Sequence, residues 1–103
     1  MAKGYWIARV DVRDEEAYKG YIAANAKALK KFGARFIVRG GPFENPEGAA
    51  RGRNVVLEFP SYEAALACYR SPEYADALAI RIAASQADVI IIAGFDGPQP
   101  GDK

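Results

Sequence analysis

The chain has 103 residues, is 50% hydrophobic and 26% charged, and carries a net charge of +1. This length supports one hydrophobic core, so a single domain is expected. The nearly balanced charge argues against a nucleic-acid partner, because binding to a phosphate backbone needs a concentrated basic surface.

The counts of histidine and cysteine restrict the chemistry further. There is no histidine, which excludes Ser-His-Asp and Cys-His catalysis and most zinc sites. The single cysteine, Cys68, excludes an internal disulfide and a thiolate metal cluster. Its alanine neighbours on a predicted helix indicate a small buried side chain without a base to activate it. No cofactor and no metal are therefore predicted, and haem is disfavoured because no histidine is present as an axial ligand.

No segment of the chain predicts a membrane or secretory destination. The longest apolar run covers residues 89–93, whereas a membrane span needs about 20 residues. The N-terminus alternates in hydrophobicity instead of forming a continuous apolar stretch. A cytoplasmic protein that does not contact membranes is expected, and the lone thiol fits a reducing compartment.

Hydrophobic alternation and helix signals divide the chain into a β-α-β-β-α-β order. Residues 3–12 alternate as a strand, and Asp14 is the expected N-cap of a helix that ends near Lys31, before Gly33. The remaining predicted segments are a strand at 34–39, a Gly/Pro-rich loop at 40–52, a strand at 53–59, a helix from Tyr62 that breaks at Ser71-Pro72, and a strand at 88–93.

This order predicts an α+β, ferredoxin-like fold. Right-handed crossovers give a four-stranded antiparallel sheet of order 4-1-3-2 with both helices on one face. The domain is expected to span residues 1–94, and residues 95–103 to form a flexible tail. The helices are expected to cover Trp6, Ala8, Val10, Phe36, Val38, Val55, Leu57 and Phe59.

The opposite face of this sheet is too apolar to remain in water. Its predicted members are Tyr5, Ile7, Arg9, Ile37, Arg39, Asn54, Val56 and Glu58, with one side of the apolar fourth strand. A second copy of the chain is the simplest cover, so a homodimer through this face is predicted.

Charged residues on that face are the first candidates for a site. A symmetric hairpin would place Arg39 near Asn54 and Arg35 near Glu58, where buried charges need partners. Arg9, Arg39 and Glu58 are expected to pair with each other, with the second copy, or with an anionic ligand. Arg39 is the candidate anion clamp. Glu58 is the candidate general base, unless an ion pair with arginine lowers its pKa and disables it.

Aromatic and amide side chains near the helices are the candidates for a pocket lining. Tyr21 and Asn25 lie four residues apart on the first helix, and Tyr69 and Tyr74 flank the helix break. Core packing is the alternative for each of these tyrosines. Arg81 is expected at the surface, and the 40–52 loop is expected to close over a pocket with Phe43 as an apolar plug.

Four segments together resemble a known family: Gly-Tyr-Trp-Ile-Ala-Arg-Val (4–10), Ala-Arg-Phe-Ile-Val-Arg-Gly-Gly (34–41), Val-Val-Leu-Glu-Phe-Pro-Ser (55–61) and Tyr-Arg-Ser-Pro-Glu-Tyr (69–74). They are similar to the domain of unknown function 1330 family over residues 3–94. The resemblance implies membership of the dimeric α+β barrel superfamily, whose members include cofactor-independent monooxygenases, lactone isomerases and haem-dependent enzymes. It assigns no catalytic residue.

Two functional hypotheses follow. The first is a protein that binds a small anionic or carbonyl metabolite beside the sheet, with cofactor-free isomerase or monooxygenase-like chemistry. The second is a non-catalytic dimerisation or ligand-sensing module in which the same charges fix the dimer register. A pocket containing an unpaired Arg39 favours the first, and a closed ion-pair network without a cavity favours the second.

Overall fold

Four strands and three helices make up the fold in the computed structural model, which describes residues 2–102. In chain order they are β1 (Gly4–Val12), α1 (Glu15–Lys31), β2 (Arg35–Arg39), β3 (Arg53–Phe59), α2 (Tyr62–Tyr69), α3 (Pro72–Ala84) and β4 (Ser85–Ala93). None of the helices in this described range is long and apolar enough to cross a membrane.

The strands form one antiparallel sheet of order β2-β3-β1-β4, which confirms the predicted ferredoxin-like topology. Trp6 in the central strand β1 lies opposite Leu57 of β3 and Ile91 of β4. Because side chains alternate across a strand, these residues share the face that the helices cover. The helices therefore pack on one side of the sheet, and no helix of the described residues covers the other side.

Capping side chains begin each helix where the sequence predicts. Asp14 accepts a hydrogen bond from the Ala17 amide at 3.1 Å, and Ser61 Oγ accepts one from Ala64 at 3.0 Å. The predicted break is confirmed, because Ser71 Oγ accepts from the Tyr74 amide at 3.2 Å and starts α3. β4 begins earlier than expected because α3 passes directly into it at Ser85, which pairs with Val12.

The core is built around Trp6, which is 2% exposed. Its ring lies 5.0 Å from Phe59, 5.1 Å from Tyr74 and 5.8 Å from Tyr69, measured between centroids. The indole N–H donates to the Ala65 carbonyl at 2.9 Å, which satisfies its polar group. Cys68 is buried, and burial raises the pKa of its thiol to about 12. The thiol is therefore an inert core group, as predicted.

A β-bulge in β2 changes which side chains face the helices. Phe36 lies opposite Leu57 and Val38 opposite Val56, so an extra residue is accommodated between them. Arg39 then lies opposite Val55 on the helix-covered face, and Val38 moves to the open face. The predicted faces of Val38 and Arg39 and the Arg39–Asn54 pairing are therefore wrong.

The 40–52 loop is fastened to the open face of the sheet. Arg51 bonds Asp11 and Asp88, each at 2.8 Å, and the Arg9 guanidinium donates to the Ala49 carbonyl at 2.7 Å. The Gly52 amide, followed by Arg51, lowers the pKa of Asp11. These contacts hold residues 49–52 at the open face of the sheet, and Phe43 is half exposed, so this structure does not show the loop closed over a pocket.

Candidate functional site

A cavity lies between the sheet and helices α1 and α3. Its volume is about 40 Å³, which corresponds to roughly three water-sized sites. The walls are mainly aromatic and aliphatic, with three arginines among them. The lining residues are Trp6, Ala8, Tyr18, Tyr21, Ile22, Asn25, Phe36, Arg39, Arg53, Val55, Leu57, Tyr74, Arg81 and Val89.

Arg39 reaches the cavity because of the bulge in β2. Its guanidinium carbon lies 4.0 Å from the centre of the Phe36 ring, on the same sheet face. A guanidinium over an aromatic face is held by cation–π attraction while its N–H groups remain free to bind a ligand. Arg39 is exposed at the sheet edge, so it marks the outer end of the arginine group.

Arg53 enters the cavity from the neighbouring strand. It shares the helix-covered face of β3 with Val55 and Leu57, and its guanidinium lies 5.5 Å from the Tyr18 ring centre. Its Nε is buried without a hydrogen-bond partner. A buried donor that lacks a partner costs free energy.

Arg81 is the most buried of the three arginines, at 7% exposure, so its predicted surface position is wrong. It lies on the buried stripe of α3 with Tyr74, Ala77 and Ala84. Burial alone would lower the pKa of Arg81, but nearby tyrosine hydroxyls, Tyr74 first, outweigh it and the pKa is raised. The side chain therefore remains a cation inside the fold.

No carboxylate from the part of the chain that the structure describes lines the cavity beside these arginines. Within residues 2–102, the ion pairs join other side chains and leave Arg39, Arg53 and Arg81 without an acidic partner. A positive charge held in a low-dielectric site without a counter-ion attracts anions strongly. The cavity is therefore electropositive, although the chain as a whole is nearly neutral.

Three of the predicted pocket residues meet inside the cavity. The Tyr21 and Tyr74 hydroxyls lie 2.8 Å apart in a hydrogen bond, and Asn25 is buried on the same wall. Burial, followed by the neighbouring Tyr21, raises the pKa of Tyr74. The Tyr74 hydroxyl is therefore neutral at physiological pH. The fourth residue, Tyr69, lies outside the cavity lining and packs in the Trp6 cluster.

Glu58 lies on the open face of the sheet, away from the cavity. It is opposite Arg35 and Tyr5, and the Tyr5 hydroxyl donates to its Oε2 at 3.2 Å. Burial and then this carboxylate raise the pKa of Tyr5. The strand layer thus separates Glu58 from Arg39, and the predicted Arg9–Arg39–Glu58 network does not form. In the described part of the chain, no group of three or more acidic, cysteine or histidine residues is arranged to hold a metal ion.

An open groove adjoins the cavity and shares Tyr18, Ile22 and Arg53 with it. Its volume is about 510 Å³, far larger than that of the cavity. The groove adds aliphatic surface from Val10 and Val12 and a charged rim of Asp11, Glu15 and Lys19, beside Gly52.

Three members of the site were not predicted from the sequence: Tyr18, Arg53 and Arg81. For Arg53 the sequence contains a signal, because Arg53, Val55 and Leu57 are two residues apart along a strand and must share one face of it. For Arg81 the signal is helical spacing from Tyr74, which places both on one side of α3. Tyr18 is buried in the core, and it also lines both the cavity and the groove.

This geometry defines the class of the protein: a ferredoxin-like α+β domain with a cationic cavity between the sheet and the helices. Its family follows from the sequence: the chain belongs to the DUF1330 family, a domain of unknown function, whose model matches residues 3–95. This confirms the predicted membership over essentially the whole domain. A comparison with curated protein sequences finds no match.

Solved structures with the same fold include proteins of known and unknown function. A protein of unknown function from Rhodopseudomonas palustris is 19% identical with a TM-score of 0.72, covering 96% of this chain and 85% of that one. SnoaB, a cofactor-independent oxygenase from Streptomyces nogalater, is 12% identical with a TM-score of 0.62 and 97% coverage of both chains. A dimeric protein of unknown function from Bacteroides fragilis, with a ferredoxin-like fold, is 17% identical with a TM-score of 0.53, covering 90% and 96%. At these identities the likeness establishes the fold alone.

Proposed function

We propose that this protein binds a small organic anion, a carboxylate, in the cavity between the sheet and helices α1 and α3. The observation that carries the proposal is the convergence of Arg39, Arg53 and Arg81 on a cavity without an acidic side chain. A planar guanidinium matches a carboxylate in geometry and charge. Neutral hydrogen-bonding groups of Tyr21, Tyr74 and Asn25 complete the polar lining.

The same geometry favours binding over proton abstraction by the protein. The ionisable groups in the cavity lining are arginines, which stay charged, and tyrosines. Burial raises the pKa values of Tyr18 and Tyr74, so neither is a base near neutral pH. The isomerase reaction predicted around Glu58 loses its base, because that carboxylate lies across the sheet. The likeness to SnoaB supports the idea that this fold accommodates cofactor-free chemistry, but it assigns no role to any residue of this chain.

Titration with a matched pair of ligands tests the proposal. Hexanoate is expected to bind and to change the fluorescence of Trp6, the one tryptophan of the chain and a wall of the cavity. Hexylammonium, of the same length and opposite charge, is expected not to bind. Arg53→Gln removes a guanidinium that lines the cavity and is expected to weaken hexanoate binding at least tenfold, because a hydrogen bond to a charged group contributes about 1.5–3 kcal/mol.

The control is Arg70→Gln, which removes the same charge at an exposed position at the end of α2. It is expected to bind hexanoate like the unchanged protein, since long-range charge effects are screened by salt. Equal binding of hexanoate and hexylammonium, or an equal loss in both variants, would contradict the anion site.

The open face of the sheet supports a second part of the proposal, a homodimer formed through this face. Ile90 is 53% exposed there, beside exposed or half-buried apolar neighbours from every strand. The face also carries charges of both signs, which a two-fold axis is able to bring together. These residues are Tyr5, Ile7, Arg9, Arg35, Val38, Val56, Glu58, Asp88, Ile90 and Ile92. The dimeric Bacteroides fragilis neighbour adds support from the same fold.

Ile90→Asp is expected to convert the dimer to a monomer, measured by light scattering after size-exclusion chromatography. A carboxylate in the middle of an apolar interface would lose its hydration without gaining a partner. Ile82→Asp is the matched control, because Ile82 is 61% exposed on α3, on the helix side of the sheet. A monomeric unchanged protein, or a dimer that survives Ile90→Asp, would overturn this interface.

A further inference from the structure

Resting on the proposed function, we infer that the ligand is a monocarboxylic acid with an apolar body, its carboxylate in the cavity and its body in the adjoining groove. The cavity of about 40 Å³ holds a group the size of a carboxylate and little more. The rest of any larger ligand must therefore leave the cavity.

The groove is next to the cavity. Tyr18, Ile22 and Arg53 line both spaces and form a shared wall, so the body of a ligand too large for the cavity would pass between these side chains to reach the groove. The carboxylate is oriented inward, because the buried Arg81 lines the cavity and not the groove. The body then passes Ile22 and enters a space of about 510 Å³.

The chemistry of the groove defines the body of the ligand. Val10, Val12, Tyr18 and Ile22 supply apolar surface, which favours hydrocarbon over water. The charges in the lining balance, since Asp11 and Glu15 oppose Lys19 and Arg53. The groove therefore selects no second charge of either sign, and an uncharged hydrocarbon body fits it best.

A series of acetate, butyrate, hexanoate and octanoate tests this inference, followed by Trp6 fluorescence and by calorimetry. Each methylene that enters the groove is expected to lower Kd about fourfold, as the burial of one CH₂ group predicts. Octanol, with the same body and no carboxylate, is expected to bind far more weakly than octanoate.

A variant of the shared wall provides a second measurement. Ile22→Gln keeps a helix-forming side chain but makes the wall polar, and it is expected to reduce the ratio of octanoate to acetate affinity at least threefold. Ile82→Gln, an exposed position on α3, is the control and is expected to leave this ratio unchanged.

The outcomes separate the two proposals. Affinity that is independent of chain length, or a ratio unaffected by Ile22→Gln, would overturn the inferred ligand class and leave the anion site standing. Octanol binding as tightly as octanoate would overturn the anion site and keep the apolar groove. Absence of binding by every carboxylate of the series would overturn both.

Discussion

Arg81→Met is expected to make the protein more stable and to weaken carboxylate binding by at least tenfold. Arg81 is 7% exposed and has no acidic partner within residues 2–102. The charge attraction to Tyr74 that helps to raise the pKa of Arg81 requires an ionised tyrosine, and the raised pKa of Tyr74 keeps that hydroxyl neutral at physiological pH, so there the fold bears the cost of desolvating the guanidinium. Replacing a buried charge with an apolar side chain of similar volume raises the free energy of unfolding by about 1–2 kcal/mol. The Tyr74 hydroxyl keeps Tyr21 as its partner, so the substitution leaves no unpaired hydroxyl there.

Thermal unfolding and hexanoate titration of Arg81→Met check both halves of this prediction. The unfolding temperature is expected to rise by several degrees, since about 1 kcal/mol corresponds to roughly 4–8 °C in a domain of this size. Arg70→Met, at an exposed position, is the control and is expected to change neither quantity appreciably. A less stable Arg81→Met that still binds hexanoate would show that the arginine serves the fold instead of the ligand.

Exchanging two neighbouring residues, in the double variant Val38→Arg and Arg39→Val, is expected to weaken hexanoate binding about tenfold. The exchange leaves composition and net charge unchanged. Because of the bulge, position 39 faces the cavity and position 38 faces the open side of the sheet. The guanidinium would therefore move to the opposite side of the sheet, and its charged hydrogen bond with the ligand would be lost.

Arg39→Val alone is the comparison for this exchange. Both variants are expected to bind equally weakly, as measured by Trp6 fluorescence, because the arginine at position 38 cannot reach the cavity. A regular strand without the bulge would give the opposite result, since position 38 would then face the helices and the exchange would retain binding. Restored binding in the double variant would thus contradict the observed register.

The elements with strong local signals could be predicted from the sequence. The alternation of Trp6, Ala8 and Val10 identifies β1, and the caps Asp14 and Ser71 identify the starts of α1 and α3. These signals depend on neighbouring residues alone, which is why the order of elements and the sheet topology follow from them.

The bulge could not be predicted, because no residue of β2 marks it. The segment Arg35–Arg39 contains neither glycine nor proline, and its alternation is compatible with either face for Arg39. The pairing with β3, across the 40–52 loop, decides the register, and that contact is non-local. Arg39 was therefore assigned to the wrong face of the sheet, whereas Tyr21, Asn25 and Tyr74 were correctly expected beside the helix-covered face.

The bulge also has a consequence for association between sheet edges. β2 is an edge strand of five residues, interrupted by the bulge and ended by arginines, all of which discourage another chain from adding a strand there. The other edge, β4, is nine residues long, pairs without interruption, and contains the run Val89–Ile92. The two edges are therefore unequally protected against aggregation, and β4 is the one through which unwanted fibril-like pairing would start.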